Sequence, residues 1–363
     1  MRQSIRFART RDGVKLAWAV AGEGPTLIKA SNWLTHLEYD WDSPLWRHWI
    51  HFFADHFHFV RYDERGCRLH YDVEDISSAR WTDDFDTIVK AARPAKPFVL
   101  LGVSQGGAPA ISYAMRFPDD VSHLILYGAY ARGWAIRDDP DSVQRHQAIV
   151  DLTRLGWGQD NPVYRQLFTS RFVPRATPEQ IGWFNELCRR TTRPEIATRL
   201  MQERGHVDVR ELLPKVTVPT LVLHAGQDEA VPLSEGRLLA SAIPGAEFVQ
   251  LESRNHILLE QEPAWERFKS EVLAFTGEPG SATAEDPVFA VLSPREREIL
   301  LLLARGCTNA QIGHALFISD KTVRNHVTKV FEKLGVRTRA QAIVLAKDGK
   351  LAPESTAQLA GPR

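Results

Sequence analysis

Residues 98–107, FVLLGVSQGG, place a serine between glycines at the end of a short apolar run. Such a run is typical of a buried central strand in a parallel sheet. The residues that follow it have a helical pattern that ends near Phe117. Ser104 is therefore predicted at a strand-to-helix turn. Gly102 and Gly106 would flank it because a Cβ atom at either position would collide with the neighbouring strand or helix.

Strand and helix patterns alternate on both sides of this turn, through the first 275 residues. The segments SIRFAR and VKLAWAVA flank a turn at residues 12–13, which predicts a hairpin. A helix is predicted to begin at Thr82, and residues 131–214 show helical patterns without a strand. Further strands are predicted at 26–30, 57–63, 97–103, 123–129, 220–226 and 247–253. The pattern predicts an α/β fold with a mostly parallel sheet and a helical insertion.

Ser104 lies in a G-x-S-x-G pattern, and a reactive serine requires a base that is itself oriented by an acid. Asp228 follows one predicted strand and His256 follows the next, so both are expected at the sheet edge that carries Ser104. We therefore predict a Ser104–Asp228–His256 triad, with Glu229 as a rival for the acid. The backbone N–H of Gln105 is expected to be free to stabilise an oxyanion.

Several of these segments together resemble the α/β-hydrolase superfamily, the Ser-His-Asp esterases, lactonases and related enzymes. They are GVSQGG at 102–107, GQDEAVP at 226–232, NHILLEQEP at 255–263 and RYDERGCRLH at 61–70. The resemblance covers residues 1–276. It implies an α/β-hydrolase fold in which residues 131–214 form a lid over the pocket.

Two stretches depart from the pattern of that superfamily. Residues 67–70, CRLH, differ from the usual G-x-S ending of their motif, which is expected to alter a loop. Residues 30–33, ASNW, stand where the family usually has His-Gly for the second oxyanion donor. We expect that donor to be the N–H of Trp33, with Asn32 as the alternative, and this departure could weaken turnover.

Composition and charge limit the classes of protein that fit this chain. The 363 residues hold enough apolar side chains for more than one domain core, with 44% hydrophobic residues. Three separated cysteines indicate reduced thiols, and no metal or cofactor is predicted. No apolar run reaches the length of a membrane span, so we expect a soluble cytoplasmic protein.

The net charge of zero conceals an uneven distribution. Residues 290–350 hold 11 Lys and Arg against 5 Asp and Glu, and the rest of the chain has an equal acidic excess. Such a basic segment suggests a polyanionic partner.

Four helices are predicted in this basic segment. Ser293 and Thr308 begin capping-box patterns, Ser319 caps DKTVRNHVTKVFEKL, and Thr338 opens the last helix. Gly306 and Gly335 follow the first and third helices as stop signals. Short helices with tight turns indicate a helix-turn-helix unit.

The third of these helices divides into an apolar and a polar face. Val323, Val327, Val330, Phe331 and Leu334 share the spacing of a core stripe. The polar residues suit base edges and phosphates of double-stranded DNA. They are Lys321, Thr322, Arg324, Asn325, His326, Thr328 and Lys329.

The run from Leu292 to Ile343 resembles the LuxR/GerE-type DNA-binding domain over nearly its whole length. The resemblance implies a recognition helix at 320–334, double-stranded DNA as a partner, and a last helix that pairs two copies into a homodimer. The predicted organisation is then a hydrolase-like domain at 1–276, a linker at 277–289, a helix-turn-helix domain at 290–350 and a tail at 351–363.

Three functions remain open for this combination. The favoured one is a transcriptional regulator whose hydrolase-like domain senses a small ester, lactone or similar apolar ligand. The alternative is a serine esterase or lactonase that carries a DNA-binding anchor. The third is a sensor that binds its ligand without chemistry, whereas the intact triad suggests carboxylic-ester hydrolase-like activity.

Overall fold

The computed structural model describes residues 1–67, 73–277, 291–304, 306–316 and 319–348. The chain divides into two units, Met1–Thr276 and Gly277–Arg363. Apart from Gly277, the predicted linker lies outside the described residues, as do the predicted tail and residues 68–70 of the altered loop motif.

An eight-stranded sheet organises the first unit. Its strands are β1 (Ser4–Arg9), β2 (Lys15–Ala21), β3 (Thr26–Ala30), β4 (His58–Tyr62), β5 (Phe98–Val103), β6 (Val121–Tyr127), β7 (Thr220–Ala225) and β8 (Glu247–Leu251). Their order is β1-β2-β4-β3-β5-β6-β7-β8. Strands β1, β2 and β4 pair antiparallel, and every other pair is parallel. The predicted hairpin and mostly parallel sheet are confirmed.

Strand β5 lies in the middle of this sheet, between β3 and β6. All six of its residues are buried, as the continuous apolar run predicted. Val103 at its end pairs with Tyr127 at the end of β6. The carboxyl ends of β5, β6 and β7 therefore meet at one edge, which is where ligands bind in open α/β sheets.

Helices cover the two faces of the sheet. They are α1 (Arg47–His56), α2 (Ser78–Ala92), α3 (Gly107–Arg116), α8 (Leu233–Ala242) and α9 (Pro263–Thr276). Helix α2 begins one turn before Thr82, where the sequence predicted its start. That extra turn carries Trp81, which is buried on the same face as Phe85 and Ile88, so apolar burial extends the helix.

The insertion after β6 is helical, as predicted for residues 131–214. It contains α4 (Pro140–Gly156), α5 (Val163–Phe172), α6 (Pro178–Thr191) and α7 (Pro194–Gly205). The β-pairing described within it is one isolated bridge between Arg132 and Asp208. None of the helices in the described ranges is long and apolar enough to cross a membrane.

Four helices form the described part of the second unit: α10 (Pro294–Ala304), α11 (Asn309–Leu316), α12 (Asp320–Leu334) and α13 (Arg339–Asp348). Reciprocal side-chain and backbone hydrogen bonds close the capping boxes that begin at Ser293, Thr308 and Thr338. Ser319 Oγ accepts the N–H of Thr322 at 3.1 Å, and Gly335 ends α12 with φ of 66°. The predicted helix limits are confirmed at these positions.

The apolar stripe of α12 packs into the core of this unit. Val323, Val330 and Leu334 are buried, and Val327 and Phe331 pack against them from partly exposed positions. Glu296 on α10 is buried and accepts a hydrogen bond of 2.6 Å from Lys333 Nζ on α12. Apolar contact and this ion pair together hold α12 against α10.

Candidate active site and candidate nucleic-acid interface

Ser104 begins the sharp turn between β5 and α3. Its φ is 54°, a left-handed conformation that costs a non-glycine residue conformational energy. A Cβ atom on Gly102 would lie 2.8 Å from Gly107 Cα, and one on Gly106 would lie 2.9 Å from the carbonyl oxygen of Ser31. The flanking glycines therefore allow the turn to pack against α3 and the end of β3, as the sequence predicted.

Asp228 and His256 are in direct contact at the carboxyl edge of the sheet. His256 Nδ1 donates to Asp228 Oδ2 at 2.6 Å. The other oxygen of Asp228 accepts the backbone N–H groups of Ala230 at 2.8 Å and Val231 at 2.9 Å. Because a carboxylate accepts the Nδ1 proton, His256 Nε2 is left as the basic nitrogen. It is buried and has no hydrogen-bond partner among the described residues.

Glu229, the rival for the acid, points elsewhere. Its carboxylate accepts a hydrogen bond of 2.7 Å from Arg254, and both side chains are roughly half exposed. The contact with His256 thus favours Asp228 for the acid.

The His256 ring lies at the end of the strand next to Ser104. A Cβ atom on Gly128 would lie 2.9 Å from His256 Cε1, so the ring packs directly on this glycine. Gly128 follows Tyr127, the register partner of Val103, and Ser104 follows Val103. Adjacent parallel strands therefore bring the three predicted triad residues to one edge of the sheet.

The loop that carries His256 is fixed by residues that the sequence reasoning did not identify. Glu262 accepts hydrogen bonds from Asn255 Nδ2 at 2.8 Å and from the N–H of Leu259 at 2.7 Å. The backbone N–H of His256 donates to the carbonyl of Phe172 on α5 at 2.8 Å. The helical insertion thus orients the predicted base directly.

The two candidate oxyanion residues outside the turn, Trp33 and Asn32, face different cavities. Trp33 lines the same cavity as Ser104 and Gln105, whereas Asn32 lines a neighbouring one and accepts a hydrogen bond from Lys29. This separation favours Trp33, and the role of its N–H stays a prediction.

The cavity over Ser104 has about 600 Å³ of empty space, part of it open to solvent. Its apolar wall comes from the β3–α1 loop and the insertion, with the Trp33 ring stacked on Trp157 at 5.4 Å. Other apolar residues that line it are Tyr130, Trp134, Phe168, Phe172, Met201, Ala230 and Val231. The insertion thus covers Ser104 in the way a lid would.

Charged residues also line this cavity, and sequence reasoning missed them. Arg204 Nη2 donates to both oxygens of the buried Glu64, at 2.7 and 2.5 Å, and its guanidinium lies 4.5 Å from the centre of a Trp33 ring. Arg137 and Arg171 are the other two cations that line it. Arg171 and Arg204 lie on helices and Arg137 lies in the loop before α4, and no sequence signal distinguished these three.

His146 connects this cavity to a wider groove. Its Nδ1 lies 2.8 Å from the carbonyl of Ser142, and its Nε2 lies 2.8 Å from Arg171 Nη2. A carbonyl only accepts and a guanidinium only donates, so the ring is neutral with its proton on Nδ1. Burial, with the charge of Arg171, lowers the pKa of His146 to about 4, in agreement with that state.

The wider groove lies between α4, α5 and the loop after β7. Arg137, His146, Arg171 and Ala230 line both this groove and the cavity over Ser104. These shared residues form the boundary that a ligand entering from the groove would pass. No group of three or more His, Cys, Asp or Glu suited to a metal occurs in the described ranges.

The predicted DNA-binding residues lie along α12, away from its apolar stripe. Lys321, Arg324, Asn325, Thr328 and Lys329 are exposed, whereas Thr322 and His326 are partly buried. The seven predicted residues thus lie on the helix surface, and five of them are exposed.

Three of these side chains already have local partners. Arg324 Nη2 donates to Asp320 Oδ2 at 2.6 Å, and both side chains are well exposed. Thr328 Oγ1 donates to the carbonyl of Arg324, and Thr322 takes part in the cap at Ser319. Exposed ion pairs contribute little energy, so Arg324 can exchange Asp320 for a phosphate or base at small cost.

A strained serine turn with an Asp–His pair and a helical cover defines an α/β hydrolase, and the second unit is a helix-turn-helix domain. Comparison with known families agrees with both. The family described as serine aminopeptidase, S33 matches residues 49–262, and the one described as bacterial regulatory proteins, luxR family matches residues 290–346. The chain belongs to the S33-type α/β-hydrolase family and carries a DNA-binding domain of the LuxR family.

Two curated relatives match this chain over short stretches. The spore germination protein GerE of Bacillus subtilis is 48% identical over 62 residues, which are 17% of this chain and 84% of GerE. The transcriptional activator DevR/DosR of Mycobacterium tuberculosis is 42% identical over 71 residues, 20% of this chain and 32% of that protein. The match therefore spans about a third of DevR/DosR.

Solved structures resemble the first unit in fold. An esterase from Exiguobacterium antarcticum has a TM-score of 0.61 at 21% identity, with 75% of this chain and 98% of that chain covered. An enol-lactonase from Burkholderia xenovorans has a TM-score of 0.54 at 21% identity, covering 75% and 100%. At this identity the likeness concerns the fold.

Proposed function

We propose that this protein is a transcriptional regulator whose α/β-hydrolase domain senses a small ester or lactone and hydrolyses it. The observation that carries the proposal is the occurrence, in one chain, of a LuxR-family domain and a covered cavity that opens on Ser104. A covered cavity beside an oriented Asp–His pair suits a small-molecule sensor. A sequence-specific DNA-binding domain gives such a sensor an output.

The chemistry that we propose is acyl transfer to Ser104. Ser104 Oγ forms a bond to the ester carbonyl carbon while its proton passes to His256 Nε2. The carbon–oxygen bond to the alcohol then breaks, and His256 gives the proton to the leaving oxygen. Water, deprotonated by His256, attacks the acyl-enzyme, releases the acid and restores Ser104. The N–H groups of Gln105 and Trp33 are proposed to stabilise the oxyanion.

Lys321, Arg324, Asn325, His326 and Lys329 are proposed to contact double-stranded DNA. Arg and Asn pair with guanine and adenine edges, and Lys and His hold phosphates. Thr322 and Thr328 are proposed as further phosphate contacts.

A homodimer is the proposed DNA-bound form. Val344 on α13 is a large apolar side chain that is 56% exposed, which supports α13 as the pairing surface. The substitution Val344→Glu should then shift the protein from dimer to monomer in sedimentation velocity and weaken binding to a two-fold symmetric site. An unchanged assembly state would remove α13 from the proposal.

The proposal is tested by combining a covalent pocket probe with DNA binding. A fluorophosphonate should label the parent protein and leave Ser104→Ala unlabelled. Footprinting on the promoter region of its own gene should give a protected site at physiological salt. The affinity for that site should then change at least several-fold when the labelled parent is compared with unlabelled protein.

The outcomes separate the candidate functions. Labelling without any protected site would favour the esterase or lactonase with a DNA-binding anchor. A protected site whose affinity is the same before and after labelling would refute the coupling between pocket and DNA. Equal hydrolysis of a 4-nitrophenyl ester by the parent and Ser104→Ala would refute the triad.

A further inference from the structure

Several residues that line the cavity over Ser104 carry buried hydrogen-bond donors without a partner among the described residues. Its described lining includes three arginines and no Asp or Glu. Five buried donor nitrogens of lining residues have no partner among the described residues: Trp33 Nε1, Gln105 Nε2, Arg137 Nη1, Arg204 Nε and Arg204 Nη1. Buried donors are nearly always satisfied in folded proteins, by protein, ordered water or a bound molecule, so a ligand with acceptor oxygens suits these lining residues.

Arg204 is the most enclosed of the three arginines. The residue is 6% exposed, and one of its three guanidinium nitrogens takes both oxygens of Glu64. The remaining two nitrogens have no protein acceptor in the described chain. A guanidinium stays protonated in proteins, so these N–H groups remain donors at any working pH.

Arg137 brings a second positive charge, and it forms no ion pair with a carboxylate of the described residues. Its Nε donates to the carbonyl of Arg132, and its guanidinium lies 5.5 Å from the centre of the Tyr130 ring. The carboxylate of Glu235 is instead held by Arg132 at 3.0 Å. Burial raises the pKa of Tyr130 to about 12, and the charges of Arg204 and Arg137 oppose this rise.

Arg171 supplies a third positive charge at the boundary with the wider groove. Its Nη2 contacts two neutral acceptors, His146 Nε2 at 2.8 Å and the carbonyl of Glu229 at 3.0 Å. Burial lowers the pKa of Arg171 to about 10, so it stays protonated at neutral pH. The carboxylate of Asp228 is already committed to His256 and two backbone N–H groups.

We propose that the ligand of this cavity is an ester or lactone that also carries an ionised carboxylate, bound by Arg204 and Arg137. The inference rests on the proposed function, because it names the substrate class of the same site. A carboxylate offers two oxygens with about four acceptor positions, which match the planar fork of a guanidinium. The aromatic wall around Trp33 and Phe168 then contacts the carbon skeleton.

Matched pairs of esters test this proposal on the full-length protein. Mono-4-nitrophenyl glutarate and 4-nitrophenyl pentanoate differ by a carboxylate on the acyl part. Phenyl butyrate and 4-carboxyphenyl butyrate differ by a carboxylate on the alcohol part. In at least one pair the charged ester should have a kcat/KM about 10- to 100-fold above that of its neutral partner, the range expected for charge-assisted hydrogen bonds.

Two variants and one control assign the preference to the cavity. Arg137→Met should reduce the charged-to-neutral ratio of kcat/KM about tenfold. The double substitution Glu64→Gln/Arg204→Met removes the buried pair together, so that no unpaired carboxylate remains, and should reduce the same ratio. Arg154→Met is the control. Arg154 lies on α4 with a side chain that is 68% exposed, so the substitution removes an equal charge from the surface. It should keep the parent ratio.

The outcomes distinguish this proposal from the proposed function. Hydrolysis of both members of each pair at equal kcat/KM would overturn the carboxylate proposal and leave the hydrolase proposal standing. If neither pair is hydrolysed, calorimetric titration of the same four esters onto Ser104→Ala decides the matter. Tighter binding of a charged ester than of its neutral partner would support recognition of a carboxylate and refute the proposed hydrolysis. Equal or absent binding would overturn the carboxylate proposal.

Discussion

The candidate active site and the candidate DNA-binding face are built in opposite ways. Ser104, Asp228 and His256 follow three different strands and are 7%, 9% and 2% exposed. The proposed DNA contacts come from one helix of 15 residues, and most of them are exposed. The first site exists only when the sheet and insertion are packed, whereas the second needs only a helix presented to solvent. Substitutions should therefore act through packing in one site and by direct loss of contact in the other.

The largest effect is expected at Ser104. Ser104→Ala should reduce ester hydrolysis about a thousandfold or more, because it removes the nucleophile. Its affinity for DNA without ligand should equal that of the parent. The control Ser241→Ala alters an exposed hydroxyl on α8 that bonds only its own helix in the described contacts, and both properties should be unchanged. Retained hydrolysis in Ser104→Ala would show that Ser104 is not the nucleophile of the buried site.

A single added methyl group should also disable the buried site. Gly128→Ala would place a Cβ atom 2.9 Å from His256 Cε1 at a φ of 54°, so the ring must move. A displacement of about 1 Å is expected to reduce turnover about 100-fold, and hydrolysis of a 4-nitrophenyl ester would measure this loss. Gly182→Ala on α6 is the matched control, since its Cβ would meet nothing within 4 Å. Equal rates for the two variants would show that the position of His256 is not critical.

The exposed face should respond by loss of contact alone. Asn325→Ala should weaken binding to the protected DNA site by about 1–3 kcal/mol and relax its preference at one base pair. Ester hydrolysis and thermal stability should stay at parent values. Glu332→Ala, at an exposed position of the same helix, should leave or slightly improve DNA affinity. If Asn325→Ala binds all sequences as the parent does, another face of the unit contacts the bases.

The smallest effect concerns the pair that holds α12 in place. Burial raises the pKa of Glu296, but hydrogen bonds from Lys333 and Ser293 outweigh burial and bring it to about 2. A carboxylate with a lowered folded-state pKa stabilises the fold above its unfolded pKa of 4.5, and this stabilisation is lost as the pH falls towards 2.

Glu296→Gln should therefore lower the free energy of unfolding of the second unit by about 1–2 kcal/mol at pH 7, discounted because Lys333 is partly in water. The difference from the parent should shrink as the pH falls from about 5 to 3. Amide hydrogen exchange in α10 and α12 measures it within the full chain. Glu298→Gln, in an exposed pair with Arg295, is the control and should change stability little. A difference that is constant with pH would rule out the ionised pair.

The sequence by itself determined the fold class, the helices of the second unit and the identity of the Ser–Asp–His candidates. These features depend on local patterns: an apolar run before G-x-S-x-G, acids and histidines at strand ends, and capping residues around short helices. The start of α2 was wrong by one turn, because the burial of Trp81 depends on the sheet that the helix covers.

Only the tertiary structure decided which acid meets His256, which cavity Trp33 and Asn32 line, and which side chains surround Ser104. Asp228 and Glu229 are adjacent in sequence, and their different partners depend on how two loops fold together. Arg137, Arg171 and Arg204 come from separate parts of the insertion, and nothing in their local sequence marks them. Packing between distant segments brings these charged side chains to one cavity. The periodicity of residues along the chain carries no information about such packing.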